Sequence, residues 1–385
     1  MPATAPQPRE PEHFHAVDVL RGFAAVTVLL NHYRQMQYPP GTFDIDASAM
    51  AGVLPLYEWL WPFYVYGNWA VQVFWMISGF VFAKVYAGKA TPGGAFLIRR
   101  IARLYPLHLL TLLFVAGLQL IAISQLGTSL IVGNNDAWHF VLNLFLASYW
   151  GLEQGKSFNA PIWSVSVEML IYLLFWLVSK PLLSRGLAGP LLMIVAAGLM
   201  LRLELGAHFI WQCAQYFFIG CALYHVAAHH ARAVRDLGVI VALMAAVCLA
   251  LPILAGDFRI GNFFLPFAIL LVGGAALIDL GPWGARLRHV RFIGDSTYGI
   301  YLWNVPLQIA VLLLCAWLGI PAEVWRQPAM LLAYLALCCT AGWLSFTFFE
   351  KPANRAVLRW AGGRGEAAGQ APGHAAPDGR ALRKA

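Results

Sequence analysis

An aspartate, an arginine and a histidine interrupt one otherwise apolar stretch near the start of the chain, Asp18-Val-Leu-Arg21-Gly-Phe-Ala-Ala-Val-Thr-Val-Leu-Leu-Asn-His32-Tyr33. On a helix, the steps from Arg21 to His32 turn through roughly 1100°, return to within about 20° of the same face, and rise roughly 16 Å along the axis. One face of one helix therefore carries a guanidinium, which suits phosphate oxygens, and an imidazole, the usual group for taking a proton from a hydroxyl near neutral pH. Asp18, three residues before Arg21, is placed to pair with it. Ionisable groups at such depth in apolar surroundings are expensive and mark function.

Four other segments carry polar residues where apolar ones would be ordinary. Phe74-Trp-Met-Ile-Ser78-Gly79-Phe80 sets a small Ser-Gly pair in an apolar run, which lets another helix approach closely or lines a substrate path. In Phe96-Leu-Ile-Arg99-Arg100-Ile-Ala-Arg103-Leu-Tyr-Pro106, Arg100 and Arg103 share a helix face and can grip one polyanion, with Arg99 beside them. Anchoring at the inner membrane surface explains the same residues without any ligand. Pro161-Ile-Trp-Ser164-Val-Ser-Val-Glu168 opens another apolar run with Glu168 about one turn inside, and a carboxylate there is functional or paired. Gly294-Asp-Ser-Thr-Tyr-Gly-Ile-Tyr301-Leu-Trp303-Asn304-Val-Pro306 is again polar for a helix start. His225, His229 and His230 cluster at a span end, but no nearby carboxylate or cysteine set completes a site, so no metal is expected.

Composition says what must hold these residues. The chain is 60% apolar and 11% charged, against about a quarter charged in soluble domains, which defines an all-α integral membrane protein. Apolar runs at about 16–33, 68–87, 103–124, 163–179, 188–204, 208–227, 237–254, 262–280, 297–319 and 328–349 have the length of membrane-spanning helices. The piece 138–150 is too short to span and reads as a re-entrant or interfacial helix. With ten spans and both termini cytoplasmic, all but five of the 26 Lys and Arg lie inside, the exceptions being Arg34, Lys156, Arg202, Arg259 and Arg326. This satisfies the positive-inside rule, whereas an eleventh span would turn Arg286, Arg288 and Arg291 outward. The same sorting accounts for the net charge of +8 without a nucleic-acid partner.

Residues 1–15 lack the features of a signal peptide and read as a cytoplasmic lead. Residues 16–355 form the membrane domain, and 356–385 a basic cytoplasmic tail, Gly-, Ala- and Pro-rich from Gly362 and expected to be disordered. Segments 34–67 and 125–162 read as exported loops with interfacial aromatics. All six cysteines fall in apolar runs and serve packing rather than disulfides or metal. No internal repeat is visible.

Taken together, Arg21 followed by His32, Phe-Trp-Met-Ile-Ser-Gly-Phe, Arg-Ile-Ala-Arg-Leu-Tyr-Pro, Trp-Ser-Val-Ser-Val-Glu and Ser-Thr-Tyr-Gly-Ile-Tyr-Leu-Trp-Asn-Val-Pro resemble, in order, the acyltransferase-3 family of membrane O-acyltransferases. The resemblance covers Asp18 to Arg355. It implies a bacterial inner-membrane enzyme that moves an acyl group, commonly acetyl, from cytoplasmic acyl-coenzyme A to a hydroxyl on a glycan or exported small molecule. The family's essential Arg and His map onto Arg21 and His32, and its paired arginines onto Arg100 and Arg103. Members often carry His where this chain has Asn304, so a proton-transfer duty at that position does not carry over.

On this reading Arg100 and Arg103, with Arg99, hold the donor's phosphates, and its flexible arm runs along the first helix toward His32. His32 acts as general base or as a transient acyl carrier. Glu168 orients His32, binds sugar hydroxyls, or pairs with Arg34 or Arg202. Asp18, Ser78, Ser164, Tyr301, Trp303 and Asn304 line the substrate paths, although interfacial aromatics also serve as anchors. A secondary transporter or flippase with ten spans is the alternative, without paired broken helices to support it, and a non-catalytic scaffold would not need Arg21 and His32 to share a face.

Overall fold

The computed structural model describes residues 13–43, 45, 47–86, 92–179, 186–229, 232–255 and 260–362. Among them there is no strand. Each of the ten long apolar runs folds as one helix: α1 (His15–Tyr33), α3 (Ala70–Tyr86), α4 (Gly93–Leu126), α6 (Ile162–Ser179), α7 (Ala188–Arg202), α8 (His208–His229), α9 (Ala233–Ala255), α10 (Ile260–Leu280), α12 (Thr297–Leu318) and α13 (Pro328–Ser345). Shorter helices fill the connections: α2 (Tyr57–Tyr66), α5 (Ala137–Leu144), α11 (Arg291–Asp295) and α14 (Lys351–Trp360). With 8 residues α5 reaches less than half way across a bilayer, in keeping with a non-spanning piece at 138–150.

Six stretches are long and apolar enough to cross a membrane, and α6 and α7 are shorter apolar helices. The protein is therefore a multi-pass all-α membrane protein. α1 falls outside those six because its polar residues are the ones the site is built from.

Two boundaries differ from the sequence reading. α4 starts at Gly93, a full ten residues before the apolar run, so Arg99, Arg100 and Arg103 lie within its 34-residue span. The last span continues through a π-helical turn, Phe346–Glu350, into α14, because Lys351-Pro352 supplies a fresh helix start. Lys89, Lys180, Arg185, Arg259, nearly all of the lead and the tail from 363 lie outside the described residues.

α1 runs through the middle of the bundle, against α2, α3, α10, α12 and α13. Its first turn has no side-chain cap of its own. Asp279, at the end of α10, does that work: its carboxylate accepts from the backbone N–H of Ala16 at 2.9 Å and of Val17 at 3.2 Å. The Ser-Gly pair of α3 does allow a close approach. A Cβ on Gly79 would stand 1.8 Å from the Phe217 carbonyl, and one on Gly220 of α8 would stand 1.9 Å from that of Met76. Around this contact lies the largest core cluster, built on Phe80, Phe82, Phe175, Phe217 and Phe218.

Candidate active site

Arg21 is half-buried near the start of α1, and its Nε donates to the Gly294 carbonyl at 3.1 Å, with a second N–H on the same oxygen. Asp18 lies 3.6 Å from the guanidinium and also bonds His13. A Cβ on Gly294 would come within 2.6 Å of the Asp18 Cβ, so only glycine lets this carbonyl reach Arg21. Asp18 thus neutralises and orients Arg21. It is not among the residues that line the adjoining cavity.

That cavity, the inner one below, holds about 130 Å³ among α1, α3, α4, α6 and α12. Arg21, Ser78, Arg103, Ser164, Glu168 and Tyr301 line it, so two predicted donor-side groups and four other predicted residues come together from five helices. Glu168 hydrogen-bonds Ser78 and Tyr172, and Arg100 is its nearby cation. Its buried Oε1 has no hydrogen-bond partner, a lone pair left for a ligand. Glu168 therefore does not orient His32, nor does it pair with Arg34 or Arg202.

The two arginines of the Arg-Ile-Ala-Arg segment separate. Arg103 lines the cavity, with Glu350 from the π-helical turn and Arg21 within electrostatic range. Arg100 instead stacks over Phe82 at 4.6 Å, with Tyr86 and Tyr172 also in range, and donates to the Tyr86 hydroxyl at 2.8 Å. Arg100 thus braces α4 against α3 and α6, and the two do not form a joint clamp. Arg99 is half-buried and outside the cavity lining.

His32, at the other end of α1, lines a second, outer cavity of about 720 Å³. Its backbone carbonyl accepts from Gln308 at 2.8 Å. Its Nδ1 accepts from the side-chain amide of Asn304, whose oxygen accepts from the Tyr334 hydroxyl. Tyr334 in turn contacts the thiol of Cys338, one turn on in α13. With Nδ1 engaged, Nε2 is the nitrogen left for a substrate. Asn304 is fully buried, lies outside the lining of both cavities and holds the His32 ring by its side-chain amide. Trp303 also lines neither cavity and packs against Phe114, with ring centroids 5.8 Å apart.

Tyr301 belongs to both cavities. Its hydroxyl donates to the Pro161 carbonyl at 2.8 Å and lies 2.9 Å from the Ser164 hydroxyl, which fixes the ring between them. The outer chamber is closed in part by the loop around α5. Buried His108 reaches the Asn143 carbonyl at 2.8 Å, and Asn143 donates to Ser157. Asp136 caps α5 by accepting from the His139 N–H at 2.9 Å, and these contacts hold its carboxyl below the usual carboxylate range.

Asp279, Glu350 and Tyr334 were not singled out as site residues from the sequence. Asp279 and Glu350 each left a signal, a carboxylate at the end of an apolar run. Tyr334 left none, because its meeting with Asn304 joins two helices. Of the three clustered histidines, the His229 side chain and His230 lie outside the described residues.

A charged cavity and a histidine-lined one thus open along a single helix, α1, of a multi-pass membrane protein. The chain belongs to the acyltransferase-3 family, whose acyltransferase domain matches residues 14–353. It is similar to acyltransferase MdmB of Streptomyces mycarofaciens, 34% identical over 158 residues that cover 40% of this chain and 36% of that protein. It is also similar to O-acetyltransferase OatA of Staphylococcus aureus, 24% identical over 362 residues, covering 83% of this chain and 58% of that protein. Protein 2 in the picA locus of Rhizobium radiobacter is 36% identical over 112 residues, 28% of this chain and 46% of that protein. The chain thus spans less than two thirds of each of these relatives. No solved structure matches it.

Proposed function

We propose that the protein is a membrane O-acyltransferase that moves a short acyl group from acyl-coenzyme A, entering the inner cavity from the cytoplasm, to a hydroxyl held in the outer cavity. The observation that carries this reading is the shared wall: donor-side cations and His32 lie in two chambers that meet at one side chain, Tyr301. The inner cavity, about 130 Å³, admits a slender thioester arm and an acetyl-sized group, while the phosphates stay at its mouth by Arg103. Arg21 and the free Oε1 of Glu168 meet the polar arm. The outer cavity is within the size of small-molecule sites, and amide side chains such as Asn31, Gln72 and Asn134 suit a hydroxylated acceptor such as a sugar.

His32 serves as general base through Nε2 once the Asn304 side chain has turned its oxygen onto Nδ1–H, since the amide N–H now facing Nδ1 leaves the ring proton on Nε2. The acceptor O–H bond breaks as its oxygen attacks the thioester carbonyl, the carbon–sulfur bond then breaks, and the proton taken by Nε2 passes to the leaving thiolate. The family's relatives named as an acyltransferase and an O-acetyltransferase support the reaction class.

The test is transfer of label from acetyl-coenzyme A to membrane or exported material by wild type and His32→Ala. Loss of transfer by about 10²-fold or more in the variant, with expression and insertion intact, is expected for a general base. Undiminished transfer overturns the role of His32, and uptake of an acceptor without acylation favours a transporter.

A further inference from the structure

The inner cavity changes character from one end to the other. At one end Arg21 and Thr297 both donate to the Gly294 carbonyl, Tyr298 donates to the Leu104 carbonyl at 2.8 Å, and Arg103 is within electrostatic range of Arg21. At the other end the lining is Phe74, Trp75, Ser164, Val165 and Tyr301. There the Trp75 indole N–H donates to the Ser164 carbonyl at 3.4 Å, the Ser164 and Tyr301 hydroxyls lie 2.9 Å apart, and the Phe74 and Tyr301 ring centroids 6.1 Å apart. Ser78 and Glu168, one turn further along α3 and α6 and bonded to each other, come between the two ends. A thioester that enters past the guanidiniums therefore places its acyl group among aromatic rings. An apolar cavity of about 150 Å³ takes one benzene, so about 130 Å³ takes a similar number of atoms. An acetyl thioester with the two methylenes next to its sulfur is already that size. Two of the three rings are fixed: Trp75 is fully buried and tied to Ser164, and Tyr301 is tied to Pro161 and Ser164. Phe74 is half-buried, has no polar group to anchor it, and packs against the cluster that includes Ala24, Val28, Val165 and Leu302.

We propose that Phe74 sets the length of the transferred acyl group, closing the inner cavity behind an acetyl and excluding straight-chain acyl groups of butyryl size and longer. This rests on the reading of the inner cavity as the thioester site. Extra methylenes in a filled pocket force side chains off their rotamers, and a hydrophobic pocket distinguishes one methylene by about 10- to 200-fold. Removing the Phe74 ring opens a space of benzene size at the end away from the guanidiniums, so the gain falls on the acyl chain and not on the coenzyme. Phe23 of α1 is the comparison, an aromatic of the same size that is 53% exposed and outside the lining of this cavity.

Displacement of tritiated coenzyme A from the detergent-solubilised full-length protein by acetyl- and butyryl-coenzyme A reads the acyl end without catalysis. The wild type should need at least about tenfold more of the butyryl than of the acetyl thioester for half displacement. In Phe74→Ala the two values should come within about threefold of each other, and Phe74→Leu should fall between. Affinity for free coenzyme A, which has no acyl group, should not move. Equal displacement by the two thioesters in the wild type, an unchanged ratio in Phe74→Ala, or the same shift in Phe23→Ala overturns the proposal. Absence of specific coenzyme A binding removes the donor from the inner cavity, and the proposal with it. The second readout is acyl transfer, where the ratio of kcat/KM for butyryl- over acetyl-coenzyme A should rise at least about tenfold in Phe74→Ala. Length-selective displacement without acyl transfer by the wild type would preserve the role of Phe74 and overturn the acyltransferase reading instead.

Discussion

Arg21 and His32 stand on one face of α1 and yet open into different cavities, with Tyr301 a wall of both. The helix itself spaces the two groups by roughly 16 Å, so neither loop motion nor another domain is needed to set their distance. On the function proposed above, the reactive group must pass from one cavity to the other without water following. The ring of Tyr301, pinned at its hydroxyl by Pro161 and Ser164, is the side chain in position to do this.

Replacing Tyr301 should therefore uncouple the reaction rather than only slow it. Tyr301→Ala is expected to lower acyl transfer by on the order of tenfold or more while raising acceptor-independent release of free coenzyme A, because water reaches the thioester. Tyr301→Phe keeps the ring and should hydrolyse little. Measuring thiol release and acylated product in the same sample checks both. Parallel loss of thiol release and product in the Ala variant would reduce Tyr301 to a packing role.

The ten helices were legible in the sequence because each apolar run had to satisfy its own backbone in lipid, which makes length and composition sufficient. The pairing of Ser78, Ser164, Glu168 and Tyr301 with Arg21 was legible only as a set of polar residues in apolar runs. What one helix presents to another was not: the division of Arg100 from Arg103 depends on the aromatic cluster of α3 and α6, and Asp279 caps a helix 263 residues away in sequence. Asn304 was read as an acceptor contact because polar residues near a substrate path look alike in sequence. Its burial behind His32 is a fact of three helices meeting.

The separation of Arg100 and Arg103 gives each a distinct phenotype. Arg103→Ala should raise KM for acyl-coenzyme A about 10- to 100-fold, the loss of one charged hydrogen-bond donor worth about 1.5–3 kcal/mol, with little change in thermal stability. Arg100→Ala should act on the fold, leaving Glu168 buried without its cation, a loss of the kind that costs about 3–5 kcal/mol. Arg100→Lys should recover part of that, since Lys keeps the charge but not the planar stack over Phe82. Melting curves and donor titrations on the purified variants distinguish the two. An Arg100→Ala protein of normal stability and raised KM would restore the joint clamp.

The cap on α5 should make the outer loop acid-sensitive in a defined direction. Asp136 is held below the usual carboxylate range by the His139 N–H and ring. A carboxyl lowered in the folded state stabilises fully above its unfolded value, about 3.9, and that contribution is lost as pH falls through the lower folded value. Amide exchange in residues 137–144, corrected for intrinsic rates, should therefore stay slow down to about pH 4 and rise below it. Asp136→Ala should exchange faster throughout and lose the pH step, whereas an unchanged step would place its origin elsewhere.

The chain from Cys338 through Tyr334 and Asn304 decides which nitrogen of His32 carries the proton. In the present arrangement the amide N–H of Asn304 points at Nδ1, so the ring's own proton sits on Nε2. An amide has donor and acceptor at equal reach. A half-turn of Asn304 puts its oxygen on Nδ1–H and frees Nε2 to take a proton, provided Tyr334 can turn its own O–H away, toward Cys338. Cys338→Ala removes that second acceptor and should hold Tyr334 on the Asn304 oxygen, lowering kcat by about tenfold with KM for the donor unchanged, as for loss of proton transfer. Cys338→Ser restores an acceptor and should restore kcat. Packing alone gives the opposite order, since a hydroxyl in an apolar helix contact is worse than a methyl. Carbethoxylation of His32, which needs a free ring lone pair, should follow kcat across the three proteins even in the absence of any acyl donor.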